Sequence, residues 1–157
     1  MSLVRVEFIN PFVSAVSKTF ETMVNLKVTR SAPVLKENQR TLYSVSGIIG
    51  LSGGIVGTVI LTMPESLALK VASVMLMDDL KTMSPDVMDA VGELTNMVAG
   101  NAKSQLEEYK LSLSLPNVIY GADMEVHFPE CCQPITIPFD TEIGPFAIDV
   151  GFSDRKE

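Results

Sequence analysis

Cysteine and histidine are scarce in this chain: among 157 residues only Cys131, Cys132 and His127 carry a thiol or an imidazole. One histidine and two adjacent cysteines cannot make a CxxC or HxxxH pair, so no metal site is expected. Neighbouring cysteines can pair only through a strained eight-membered ring, and all three residues are expected to lie in strands or loops without chemistry. The sequence opens Met-Ser-Leu-Val-Arg-Val-Glu-Phe, with neither a long apolar stretch nor the small-residue cleavage site of a secretory signal. With so few cysteines, a reducing cytoplasm is the expected setting. Long apolar runs are also missing. Residues 45–60 are broken by Ser and Gly and fall short of the roughly 20 residues that a membrane helix needs, so a soluble chain is expected.

Positive charge is in deficit, with 12 Lys and Arg against 19 Asp and Glu and a net charge of -7. An acidic surface with no basic patch repels phosphate backbones, and nucleic acid is not an expected partner. Leu51-Ser-Gly-Gly54 imitates the signature loop of ABC transporters, but no Gly-x-x-x-x-Gly-Lys-Ser/Thr phosphate loop accompanies it. Nor is there a Gly-x-Ser-x-Gly elbow, and the lone His127 falls in a predicted strand, so a Ser or Cys hydrolase is unsupported.

What is present is a globular composition, 46% hydrophobic and 20% charged, in a length that suits one domain over residues 1–157. Apolar residues Phe12, Val13, Val16, Phe20, Met23 and Val24 recur at helical spacing over residues 10–25, with Asn10 as N-cap and Pro11 as first helical residue. Two β-branched runs, 42–52 and 55–63, flank Gly53-Gly54 and predict a hairpin. Pro64 and Glu65 open a second helix, apolar around most of its circumference and therefore expected to be deeply buried. Ser84, Pro85 and Asp86 mark the start of a third helix, running to about Tyr109. Residues 111–115, 117–120, 124–128, 135–139 and 146–152 then read as short strands. Strands in runs with helices set apart predict an α+β fold, a largely antiparallel sheet with three main helices.

The third helix is amphipathic in an informative way. Val87, Val91, Leu94 and Val98 fall within a stripe about 60° wide, while Asp89, Glu93, Asn96, Gly100 and Lys103 centre roughly 180° from it. Residues three apart are surface neighbours, so Glu93 and Asn96 project side by side and can enter one concave site on another molecule. Glycine inside a helix costs roughly 1 kcal/mol against alanine, and Gly100 on this ridge implies that something approaches the backbone closely there.

The string Asp89-Ala-Val-Gly-Glu93-Leu-Thr-Asn96-Met-Val-Ala-Gly100-Asn101 resembles the Asp/Ser-x-x-x-Glu-x-x-Asn-x-x-x-Gly-Asn signature of the CheC, CheX and FliY phosphatases. The Asn-Pro-Phe opening of the first helix, the Gly-rich hairpin, the buried second helix and the β-rich tail follow the CheX order. In CheC relatives the first helix carries a second motif copy. Here Lys18 and Glu21 stand where Glu and Asn would be needed, so the resemblance implies one site per chain and favours the CheX type.

The resemblance implies a hydrolase that removes the aspartyl phosphate of a CheY-like response regulator, probed by Glu93 and Asn96 from outside. Phosphoaspartate and Mg²⁺ belong to the regulator, and this chain is expected to bind no cofactor of its own. Asn96 is expected to hold the attacking water and Glu93 to pair with the regulator's active-site lysine, with Asp89, Gly100, Asn101 and Lys103 as partner contacts. The resemblance further implies a homodimer associated through the β-sheets. The competing reading is a non-catalytic module of the same fold that binds a regulator or dimerises.

Overall fold

The computed structural model describes residues 6–129 and 132–154. Helix α1, Ile9–Thr19, follows a 3₁₀ turn at Val6–Phe8 and runs into a π-helical turn, Phe20–Val24, that ends on Asn25 with φ 57°. Its start lies earlier than expected. Asn10 caps nothing, and Pro11 sits inside the first turn, where its missing N–H has no intrahelical partner to lose. Two short strands follow, β1 (Thr29–Arg30) and β2 (Val34–Leu35), and then the hairpin β3 (Val45–Ser52) and β4 (Ile55–Met63). Gly53, at φ 148°, makes the turn.

Helix α2 spans Glu65–Leu76 and helix α3 spans Pro85–Lys103, capped by the Ser84 hydroxyl, which accepts from Val87 N at 3.4 Å. Helix α3 stops earlier than the expected Tyr109, and the residues beyond form a 3₁₀ turn at Glu107–Tyr109. Helix α2 buries only one face, Leu67, Ala68, Val71 and Ala72, while Leu69, Val74 and Met75 are half-buried and Leu76 is exposed. The last third holds β5 (Ser112–Leu113), β6 (Asn117–Tyr120), β7 (Ile135–Asp140) and β8 (Pro145–Asp154).

All pairings are antiparallel, in the order β1-β7-β8-β4-β3-β5, with β2 also on β7 and β6 also on β3. Side chains alternate across a strand, so Val59, Leu61 and Met63 of β4 and Phe146, Ile148 and Val150 of β8 meet the helices in one core cluster. Phe20 of the π turn stacks on Phe146 at 4.3 Å, and Phe146 stacks on Phe139 at 5.0 Å, which fixes the end of α1 to β8 and β7.

The opposite face of the sheet carries buried polar residues, Ser46, Thr62, Thr136 and Asp149. Over it fold residues 36–43 and 121–129. Residues 124–128 are not the expected strand: apart from a bridge between Glu125 and Arg40 they pair with an irregular segment, Thr41 N donating to Met124 O and Val126 N to Gln39 O. His127 there is exposed. Lys36 Nζ lies 3.2 Å from Asp149 Oδ2, an ionic contact without hydrogen-bond alignment, and donates to Arg40 O at 2.6 Å. Thr136 Oγ1 donates to Asp149 Oδ1 at 2.6 Å. Burial pushes the Asp149 carboxyl above its ordinary range, against the lowering effects of Thr136 and Lys36.

Candidate functional site

The seat of α3 is set by a missing side chain. A Cβ on Gly47 of β3 would stand 2.0 Å from Thr95 Oγ1, so only glycine lets the helix lie this close to the sheet. Thr95 is fully buried, and its hydroxyl donates to Val91 O at 2.7 Å, leaving no unpaired polar group in the contact. On one flank Gly92 faces Val118 of β6 and Pro116, a built Cβ lying 3.3 Å and 3.8 Å from them. At the far end Asn101 Nδ2 donates to Thr19 Oγ1 of α1 at 2.8 Å. Sheet, β6 and α1 thus hold α3 below, beside and behind.

The core stripe is as expected, with Val87, Val91, Leu94 and Val98 fully buried. Opposite it Asp89, Glu93 and Lys103 are exposed and Asn96 and Gly100 partly so. Among the described residues neither Glu93 nor Asn96 is engaged in a hydrogen bond or ion pair, so both head groups are free to meet another molecule. Around Gly100 a Cβ would find nothing within 4 Å, and the fold itself has no need of glycine there.

Asn101 is brought to a different place from the other five. Its carboxamide turns to buried Thr19, which makes it a tie between α1 and α3 rather than a member of the ridge. At about 100° per residue it lies within about 40° of Val87, so the helical wheel already carried this signal. Sequence pattern alone does not mark Gly47, Gly92 and Thr95 as the seat of the helix. A glycine inside a β-branched strand run is the one signal for Gly47, and Thr95 gives none.

On α1, Lys18 and Glu21 are exposed, but the turn that carries Glu21 is π-helical, so the regular i, i+3 adjacency of Glu93 and Asn96 is not reproduced there. Cys132 packs against Gly151 and is a free thiol whose pKa is pushed up to about 11 by burial. It stays protonated and unreactive near neutral pH. Cys131 lies outside the described residues. Among the described residues no three His, Cys, Asp or Glu side chains group as metal ligands, and no helix is long and apolar enough to cross a membrane.

An antiparallel sheet with three helices is the architecture this chain shares with solved structures of the CheC-like superfamily. A CheC-like superfamily protein from Shewanella sp. PV-4 superposes with a TM-score of 0.85 at 32% identity, over 96% of this chain and 99% of that one. Within that class the family model described as "Chemotaxis phosphatase CheX" matches residues 45–140, and the chain belongs to the CheX family. The CheY-P phosphatase CheX of Thermotoga maritima is 26% identical over 121 residues, 75% of this chain and 78% of that protein. The structure of a CheX-CheY-BeF3-Mg complex from Borrelia burgdorferi is similar at a TM-score of 0.76 and 26% identity, over 97% of this chain and all of that one.

Proposed function

We propose that this protein accelerates hydrolysis of the aspartyl phosphate on a CheY-like response regulator by placing Glu93 and Asn96 in the regulator's active site. The observation that carries the reading is the free, side-by-side presentation of these two residues on a helix anchored on three sides. The relative named as a CheY-P phosphatase and the solved complex of a CheX with CheY supply the substrate class.

The chain brings no nucleophile to this chemistry. Attack on a phosphoryl group gains most from holding water in line with phosphorus. A carboxamide suits that task because it both donates and accepts hydrogen bonds and is neutral beside an anionic phosphoryl group, where a carboxylate would be repelled. Asn96 takes this part, and the Glu93 carboxylate takes the regulator's active-site lysine, fixing the register of docking. Neutralisation of the phosphoryl charge would be supplied by Mg²⁺ held in the regulator. Asp89, Gly100 and Lys103 continue the contact surface along the ridge.

The test follows decay of a phosphorylated CheY-type regulator with wild-type and variant protein. Asn96→Ala is expected to lower the catalysed rate about 100-fold or more while regulator binding persists. Glu93→Ala is expected to weaken binding as well, by about 2 kcal/mol for loss of a docking ion pair. Near wild-type decay with Asn96→Ala overturns the reading. Binding of the regulator without acceleration by the wild-type protein would assign the non-catalytic module instead.

The homodimer belongs to the same reading. Among the described residues the edge of β7 is covered only by the two-residue strands β1 and β2. Beside it Val34, Leu35 and Leu42 are about half exposed around a surface cavity of about 520 Å³. A short apolar edge of this kind is suited to pairing with a second copy.

A further inference from the structure

Next to Glu93 the surface holds a cleft of about 330 Å³, formed where β6 and the turn before it pass the motif helix. Its apolar lining is Met88, Gly92, Pro116 and Val118, and its polar rim is Asp89, Glu93 and Asn117. The cleft exists because residue 92 has no side chain. Even a methyl group there would approach Val118 to 3.3 Å and fill the floor.

Directly before Pro116 of the cleft wall stands Leu115, 87% exposed. A single exposed leucine is ordinary on a protein surface. This one is unusual in being held. Before it Ser112 and Leu113 pair with β3, and Ser114 clamps Gly50 twice, N donating to Gly50 O at 2.8 Å and Oγ accepting from Gly50 N at 2.9 Å. After it Pro116 packs toward Gly92 and Asn117 pairs with Ile48. An apolar side chain on pinned backbone loses little further freedom on binding, so its burial converts more fully into affinity.

We propose that Leu115 and the cleft behind it form a specificity-determining contact for the regulator, gripping the receiver domain beside its active site while Glu93 and Asn96 enter it. This rests on the reading of the ridge given above. Its occupant follows from contiguity: Asp89 and Glu93 are ridge residues and also walls of the cleft, so a receiver domain seated on them lies against the cleft, whose Pro116 wall Leu115 directly precedes. The Leu115 contact is apolar and lies outside the reacting atoms, so it contributes equally to ground and transition states and acts on KM rather than kcat.

The experiment is steady-state dephosphorylation of a CheY-type regulator charged with acetyl phosphate, comparing Leu115→Ser, Leu115→Met and Gly92→Ala with Asn96→Ala and Met77→Ser. Met77 is 93% exposed and lines no part of the cleft. Leu115→Ser is expected to raise KM about tenfold with kcat within twofold, Leu115→Met to stay near wild type, and Gly92→Ala to raise KM by filling the floor. Unchanged KM for Leu115→Ser, with Asn96→Ala inactive, overturns the cleft proposal and leaves the ridge standing. An equal rise for Met77→Ser also overturns it. Full activity of Asn96→Ala overturns both.

Discussion

Gly100 separates what the fold requires of α3 from what a partner requires. Alanine would fit in the open space at this position and would relieve the helix of its most flexible residue. Gly100→Ala is therefore expected to raise stability by about 0.5–1 kcal/mol, a gain of roughly 1–4 °C in Tm for a chain of this size. If the regulator docks on the ridge as proposed, the same substitution is expected to lower kcat/KM by about tenfold, because the new methyl would stand in the contact surface. Calorimetry and phosphate-release kinetics on one preparation check both signs together. A second residue-scale expectation concerns Asp149. Its folded pKa is raised above the unfolded value, so its contribution to stability is greatest at low pH and is lost as pH rises through the folded pKa. Lys36 opposes that rise. Lys36→Met is expected to cost about 3 kcal/mol at neutral pH and progressively less as pH falls and the carboxyl takes up its proton. Denaturant titrations across pH 4 to 8 give the difference directly. The ridge could be read from one helical wheel because its members are local in sequence. Lys36 and Asp149 could not, since nothing near either residue announces the other.

Among the elements, α3 owes its position to β3. Gly47→Ala would drive a methyl into buried Thr95, an overpacking expected to cost about 1–3 kcal/mol and to lift the helix from the sheet. Activity should fall with it although no ridge residue has changed, and Thr95→Ala in the same chain should recover part of both. A thermal melt with matched kinetics is the check. Long elements declared themselves in the sequence: the β3–β4 hairpin through alternating β-branched residues around a Gly-Gly turn, and α3 through its cap and its stripe. What escaped was set by distant partners. Strands β1 and β2 are two residues each and exist only because β7, about a hundred residues later, offers them an edge. Residues 124–128 have strand composition, yet the places beside β3 and β4 are taken, and they fold over the polar face instead. The apolar circumference of α2 overstated its burial because one helix among three covers only part of one sheet face.

For the whole molecule, light scattering or analytical ultracentrifugation at micromolar concentration is expected to give a dimer, and Leu35→Arg at the β2 edge to give monomers that keep their ridge. A wild-type monomer under those conditions would remove the edge from the account. The strand order fixes how such a dimer would be loaded. Strands β7, β8 and β4 separate the β1/β2 edge from β3, on which α3 lies. Over four inter-strand steps of about 4.8 Å the motif helix is about 19 Å from the joining edge, and a two-fold axis there doubles the distance between the two ridges. Two regulators would be held at opposite ends of the assembly without touching. Each dimer would then titrate two phosphorylated regulators as independent equals, with a Hill coefficient of one and a rate that rises hyperbolically with regulator concentration.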